Sequence, residues 1–434
     1  MARRSLRIWG LALAAALTTS SLAACGGGSS ASGQPEKPDS PVTLRMTTWT
    51  SDETQIKTFE SIADGYIKEH PDLVKDVKFE TVSGDDYMVG LTTQIAGGNV
   101  PDLAWILESN GPEFVKSGAL TNLTPYLEKA KGYDLDDLLP NALDLWRDGD
   151  AIYAYPFSNS PFGVFVNTDL IKAAGQPNPA DLVAKGQWTW DKARDISAAV
   201  AKTSGNNGLV IRDFDYTNWE NLAEVWDSWG AAPWSDDGTT CTMDSPQMVE
   251  AMTWIHDAIF KDGAIPGPGT DVDFFGGKTA MTVTQVSRAS GLDGSFHWDL
   301  VPLPSGPEGH VNVIGQAGIG VLAQGAHPDI AANFLAYFTD AASAKKLAGF
   351  FPPPRQSLIK ASTLKKSNPL LSEKQLQEVV VDGVKDAVTK PSHPNFAQIK
   401  ETTRIALDDL WKPDADVKSV LGNVCDQIAP LLKD

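Results

Sequence analysis

From residue 42 onward, strand-like and helix-like patterns alternate, and that alternation restricts the fold more than any other feature. Val42-Thr43-Leu44-Arg45-Met46-Thr47-Thr48 alternates apolar with polar residues, as a half-buried strand does. Ile56, Phe59, Ile62, Ala63, Tyr66 and Ile67 then recur at helical spacing, with Asp52 and Gln55 placed to cap a helix and His70-Pro71 to stop it. A second strand is expected at 77–82, a helix at 87–96 closed by Gly97-Gly98, and a third strand at 103–107. Strand, helix, strand, helix, strand implies a mostly parallel sheet covered by helices, an α/β fold. The pattern continues with strands expected at 151–157, 163–167, 209–211, 279–286, 298–303 and 318–323. Ser158-Asn159-Ser160-Pro161 reads as a bend between the first two. Helices are expected at 190–202, 218–229, 245–260 and 329–338. About 390 residues follow the N-terminal region, enough for two domains.

That N-terminal region is of a different kind. Arg3, Arg4 and Arg7 precede a short apolar run at 8–17, and Leu22-Ala23-Ala24 leads to Cys25. This reads as an export signal over 1–24, too short to span as a stable transmembrane helix. A cysteine directly after Leu-Ala-Ala resembles the lipobox of bacterial lipoproteins, in which the cysteine receives a diacylglycerol and becomes the new N-terminus. Residues 26–41 (GGGSSASGQPEKPDSP) form a polar tether without apolar pattern, which argues against a chance cysteine behind an ordinary secretory signal. The expectation is a protein outside the cytoplasm, anchored to the cell membrane through lipidated Cys25 and the 25–41 tether.

Export also bears on charge and on the other cysteines. Removing residues 1–24 takes away three arginines and no acid, so the formal charge of −19 becomes −22. So acidic a surface repels nucleic acid and anionic lipid and favours neutral or cationic ligands. In an oxidising compartment Cys241 and Cys425 are either one disulfide or two buried thiols, and export favours the bridge. No CxxC occurs, which excludes a redox or zinc reading.

A series of short motifs resembles family 1 of the bacterial extracellular solute-binding proteins, the group that contains maltose-binding protein. In order they are Gly97-Gly98-Asn99-Val100-Pro101-Asp102, Ser117-Gly118-Ala119-Leu120, and Asp150-Ala151-Ile152-Tyr153-Ala154-Tyr155-Pro156. Val164-Phe165-Val166-Asn167-Thr168-Asp169-Leu170 and Phe275-Gly276-Gly277-Lys278-Thr279-Ala280-Met281-Thr282 follow. Pro302-Leu303-Pro304, Gly315-Gln316-Ala317-Gly318-Ile319-Gly320 and Pro354-Arg355 complete the series. The resemblance implies two lobes, each a mostly parallel sheet flanked by helices, with a ligand cleft at the hinge. It implies lobe 1 at 42–157 and 298–325 and lobe 2 at 158–297 and 326–434. It further implies a monomer that captures a small-molecule sugar by hinge closure and delivers it to the permease subunits of an ABC importer, with no cofactor, no metal and no nucleic acid.

Open α/β sheets bind ligands at the carboxyl ends of their strands, and several residues there suit a sugar. Aromatic rings cover the apolar faces of a sugar, while acids, amides and arginine bond its hydroxyls. Trp49, Ser51 and Asp52 follow the first strand, where Asp52 serves equally as a helix cap. Glu108, Ser109 and Asn110 follow the third strand, and Phe157 and Asn159 lie at the crossover. Asp213, Asp215, Tyr216 and Trp219 follow the strand ending at Ile211, and Tyr216 and Trp219 resemble the family's aromatic stack in its second lobe. On that reading Trp219→Ala weakens binding and spares the fold. Arg288 stands where many relatives have tryptophan and would equally suit a carboxylate or phosphate on the solute. Arg355 and Gln316 stand at family positions that sometimes reach the ligand, or else pin loops. Trp254 and Trp411, both at helical positions, read as core.

Enzymatic alternatives have little support. A glycoside hydrolase needs two carboxylates across the scissile bond, and no motif places such a pair. Neither a G-x-S-x-G elbow nor a phosphate-binding G-x-x-x-x-G-K-[ST] loop occurs. His70, His256, His297, His310, His327 and His393 show no metal spacing. A receptor for an acidic or phosphorylated solute remains the alternative cargo, which the charge of −22 opposes at long range.

Overall fold

The computed structural model describes residue 33 and residues 35–82, 87–212, 218–267, 269–270 and 272–433. Among them the strands are β1 (Val42–Thr48), β2 (Val74–Thr81), β3 (Leu103–Leu107), β4 (Arg147–Asp148), β5 (Ala151–Ile152), β6 (Ala154–Asn167), β7 (Asn207–Ile211), β8 (Thr279–Gln285), β9 (Trp298–Val301), β10 (Val313–Val321) and β11 (Val388–Thr389). The main sheet runs β2-β1-β3-β10-β6-β8-β7, with β11 on β10 and β9 on β6. β1 pairs parallel with β2 and β3, and β7 parallel with β8. β10 runs antiparallel to both β3 and β6, so each half is a mixed α/β sheet with a parallel edge.

β6 is where the sequence reading fails. Instead of two strands around a bend, 154–167 is one fully buried strand. Its first part, to Pro161, pairs with β10; from Phe162 on it pairs with β8 and β9. Pro161 has no N–H to give a ladder, and it sits where the strand changes partner, so the missing donor falls at the handover. β6 therefore belongs to both halves of the molecule.

Helix termini follow local chemistry more faithfully. Helix Glu53–Glu69 is capped by Asp52, whose Oδ1 accepts from the N–H groups of Thr54 and Gln55. Helix Pro246–Phe260 has Ser245 as its cap and proline at its first position. Helix Trp190–Ser204 ends on Gly205 at φ +68°, a left-handed cap that suits glycine. The helix expected at 218–229 is instead three short pieces, Trp219–Leu222, Ala223–Trp226 and Asp227–Trp229, of which only the middle one is α-helical.

Two apolar clusters hold the sheet halves. The first joins Leu44, Met46, Trp105, Phe157 and Ile319 to Phe59, Ile62 and Tyr66 of helix Glu53–Glu69 and to Phe334 and Phe338 of helix Pro328–Phe338. Each such buried side chain stabilises by roughly 1.5–3 kcal/mol. The second joins Val164, Leu209, Met281 and Val301 to Trp190, Trp219, Trp226, Ile255, Phe396 and Leu421. This packing departs from the expected lobe boundaries at both ends of the second crossing. Val301 and Leu303 lie in the second cluster, not the first, because β9 pairs with the far part of β6. Helix Pro328–Phe338 lies in the first cluster, not the second, because its Phe334 and Phe338 rings pack against Tyr66 and Phe59. Cys241 and Cys425 form a disulfide, Cα–Cα 5.4 Å, that ties the turn after Trp234 to helix Val417–Ile428. Both cysteines pack against the second cluster.

Candidate functional site

At the carboxyl end of β1, Trp49 is half-buried and edge-on to Trp105 at 4.5 Å between ring centroids. Phe157 of β6 lies 4.5 Å from Trp105, and Phe351 closes on Phe157 at 5.1 Å. Trp105, Phe157 and Phe351 are buried in the first core, so Phe157 is a core ring and not the ligand face expected of it, and of these rings Trp49 alone is partly open. Ser51 and Asp52 beside it are exposed, and Asp52 is engaged as the helix cap.

Glu108 opens the short turn after β3, and its carboxylate meets the Lys390 ammonium at 2.9 Å, each side chain 6% exposed. Lys390 follows β11 and also donates to Asn221 Oδ1 at 3.0 Å. Glu108 belongs to the first half of the molecule and Asn221 to the second, so Lys390 links the two. Breaking a buried pair of this kind leaves one charge uncompensated and costs about 3–5 kcal/mol. Ser109, also buried, donates to Asn110 Oδ1 at 3.4 Å.

A ring from β6 lies beneath the cations. Phe162 has Lys390 Nζ 5.7 Å and the Arg212 guanidinium carbon 6.0 Å from its centroid. Arg212 is the last residue described before 213–217 and follows β7 directly. Glu224, in the piece Ala223–Trp226, lies within the field of both cations. Burial pushes its carboxyl up to about 8, Lys390 and Arg212 pull it back, and Asp227 adds to the rise. Among the described residues no cluster of His, Cys, Asp and Glu could hold a metal ion.

Several expected ligand residues are instead engaged by the protein. Trp219 is 0% exposed, donates its indole N–H to the Lys400 carbonyl at 3.1 Å, and packs against Trp226 and Phe396. It is a core ring. Arg355, also 0% exposed, donates to the carbonyls of Asp134 and Thr339 at 3.0 Å each, reaches Asp137 at 3.5 Å, and lies over the Tyr133 ring. It pins the segment that follows helix Ala341–Leu347 onto the first half. Gln316 accepts from Trp146 Nε1 and donates to Asn159 Oδ1 at 2.7 Å, while Asn159 Nδ2 donates to the Pro156 carbonyl. That amide pair joins β10 to β6 and has little left for a solute. Arg288 is exposed, with its guanidinium 5.4 Å from the Phe275 ring. Asp213, Asp215 and Tyr216 lie outside the described residues, as does Cys25.

Arg212, Asn221, Glu224 and Lys390 were not singled out from sequence. Arg212 had a readable signal, since it stands at the carboxyl end of a buried strand. Glu224 had another, as a lone acid inside Leu222-Ala223-Glu224-Val225-Trp226. Nothing local marks Lys390.

Comparison with known proteins identifies a family and a fold. The family model described as bacterial extracellular solute-binding protein matches residues 50–345. An ABC substrate-binding protein from Listeria monocytogenes, solved in complex with cycloalternan, superposes with a TM-score of 0.77. Its identity is 21%, over 91% of this chain and 99% of that one. The GacH receptor of Streptomyces glaucescens, solved unliganded and with acarbose, gives 0.74 at 22% identity over 90% and 98%. At such identities the likeness speaks to the fold, that of two-lobed binding proteins. A putative binding protein from Brucella abortus is 26% identical over 265 residues, 58% of this chain and 60% of its own length, so the match spans less than two thirds of that relative. An uncharacterized lipoprotein from Streptomyces antibioticus is 24% identical over 345 residues, 75% of this chain and 71% of that protein.

Proposed function

The chain belongs to the bacterial extracellular solute-binding proteins, and from that premise we propose that it is a membrane-anchored receptor that binds a carbohydrate and delivers it to an ABC importer. The observation that carries the reading is the partly open Trp49 ring at the carboxyl end of β1, together with the hydroxyl-bonding side chains gathered where the two halves join. Trp49, partly open and backed by the core rings Trp105 and Phe157, offers an apolar face for sugar C–H groups. Glu108, Asn221, Glu224, Arg212 and Lys390 offer both acceptors and donors. The ligands bound in two structural neighbours, cycloalternan and acarbose, are carbohydrates or close relatives of them. The lipobox-like run Leu22-Ala23-Ala24-Cys25, with the polar tether that follows it, supports lipidation at Cys25 and placement on the outer face of the membrane. Asp215 and Tyr216 complete the proposed ligand set from the second half, with Ser51, Ser109, Asn110 and Arg288 at its rim.

A thermal-shift screen of the tether-trimmed protein tests this, with maltose, maltotriose, cycloalternan, sugar phosphates and amino acids. A ligand at a hundred times its dissociation constant adds about 2.7 kcal/mol of stability, enough to raise the melting temperature visibly. A shift with a neutral sugar that chromatography recovers unchanged is the expected result. Shifts confined to amino acids or sugar phosphates would overturn the carbohydrate reading, and consumption of the sugar would favour a hydrolase.

A further inference from the structure

β3 and β11 occupy the same edge of β10 and meet there head to head. β3 runs antiparallel to β10 and ends with Leu107 opposite Ala317, whereas β11 runs parallel to it and ends with Thr389 opposite Ile314. Between the two strand ends lie Gly315 and Gln316 of β10. Glu108 and Lys390 are the next residues after the two strands, and their ion pair of 2.9 Å closes that gap. Pro391 disfavours a helical conformation at Lys390, which keeps the chain extended beyond β11.

The chain changes halves at the same level of the sheet. On β6 the handover at Pro161 lies opposite Ile314. On β10, Val313 packs in the second cluster and Ala317 in the first. Both crossing strands therefore pass from one half to the other between the ends of β3 and β11. Glu108 moves with the first half, through β3. Lys390 is held to the second by Asn221, whose Oδ1 accepts from it at 3.0 Å, and by the Phe162 ring, 5.7 Å from its Nζ. A bend at this level changes the separation of the two charges directly.

We infer that Glu108 and Lys390 form a latch across the hinge, which draws the two halves together without help from a solute. Each side chain is 6% exposed, so the closed pair is shielded from water and from salt. With one partner removed, the other is a buried charge that only water can satisfy, and opening the hinge admits that water. The pair engages one carboxylate oxygen of Glu108 and, with Asn221, two of the three ammonium protons of Lys390. A solute hydroxyl can therefore still bond either residue. A latch alters binding in a way that a lost contact does not. A receptor already drawn closed loses less binding energy to closure, yet admits solute only when the latch parts.

Small-angle X-ray scattering of the tether-trimmed protein without solute reads the latch directly. The wild type is expected to have a radius of gyration of about 21 Å, that of a compact chain of this length, and Lys390→Met to raise it by about 1 Å. Glu108→Met/Lys390→Met leaves neither charge to hydrate and is expected to return the radius to the wild-type value. Stopped-flow binding of whichever sugar stabilises the wild type supplies the second readout. Lys390→Met is expected to associate several-fold faster yet bind about 10-fold more weakly. Weaker binding without faster association would mark the loss of a direct contact and overturn the latch. Should Lys390→Met fail to fold, Glu108→Gln leaves Lys390 without its counter-charge and carries the same expectations at smaller amplitude. An unchanged radius in folded Lys390→Met, or a double variant as expanded as the single one, would also overturn the latch. Failure of every sugar to bind, with the scattering as expected, would overturn the carbohydrate reading and leave the latch standing.

Discussion

Replacing Trp219 separates a ligand ring from a core ring. Trp219→Ala removes an indole that is fully enclosed by Trp226, Trp234 and Phe396. Truncating a buried tryptophan costs about 3–5 kcal/mol, because the lost transfer energy is compounded by the cavity left behind. The Lys400 carbonyl also loses its indole donor, which adds about 1 kcal/mol. For a cooperative unit of roughly 200 residues, a loss of about 4–5 kcal/mol lowers the melting temperature by about 10 °C or more. The assay is differential scanning calorimetry of wild type and variant without solute, followed by titration with whichever sugar stabilises the wild type. The expected result is a large drop in melting temperature with little change in affinity of the folded fraction. A drop below about 2 °C combined with lost affinity would refute the packing argument and return Trp219 to the ligand surface.

Three other perturbations follow from the same structure. Cys241→Ser opens the disulfide that joins positions 184 residues apart and is expected to cost about 2–4 kcal/mol, read as a lower urea midpoint with a steeper slope because the unfolded chain is freed to expand. Arg355→Met leaves the Asp134 and Thr339 carbonyls without their donor and Asp137 without its charge partner. It is expected to cost about 3–5 kcal/mol in chemical denaturation, with no loss of solute affinity. Glu224 is held above its ordinary range, from 4.5 to about 8, so the folded chain keeps a proton there that the unfolded chain has lost. Stability relative to Glu224→Gln should therefore be equal near pH 4 and fall progressively for the wild type as pH rises toward 8; parallel pH profiles would refute the buried-acid assignment.

What could be read from the sequence follows the range of the forces involved. Asp52 and Ser245 cap helices through bonds to residues two or three positions away, and the first three strands carry their own periodicity. Ser158-Asn159-Ser160-Pro161 has the composition of a turn, yet it lies inside β6, because Gln316 of β10 satisfies Asn159 from 157 residues away. No local pattern carries that information. In the site, Glu108 stands where strand-end reasoning put a polar contact, but its partner Lys390 is set by tertiary folding alone. Trp219 and Arg355 show a different limit. An indole or a guanidinium suits a sugar and a protein interior for the same chemical reasons, so residue type and position could not separate the two uses.

The strand shared by both halves has a consequence for how the molecule can be divided. β6 lends one stretch of its edge to β10 and the next to β8 and β9, and the chain later returns to supply β10 and helix Pro328–Phe338 to the half it left. No single cut in the polypeptide yields two fragments with complete sheets. The halves are mechanical parts without being modular ones, and neither can be exchanged with a relative's by simple fusion at one junction.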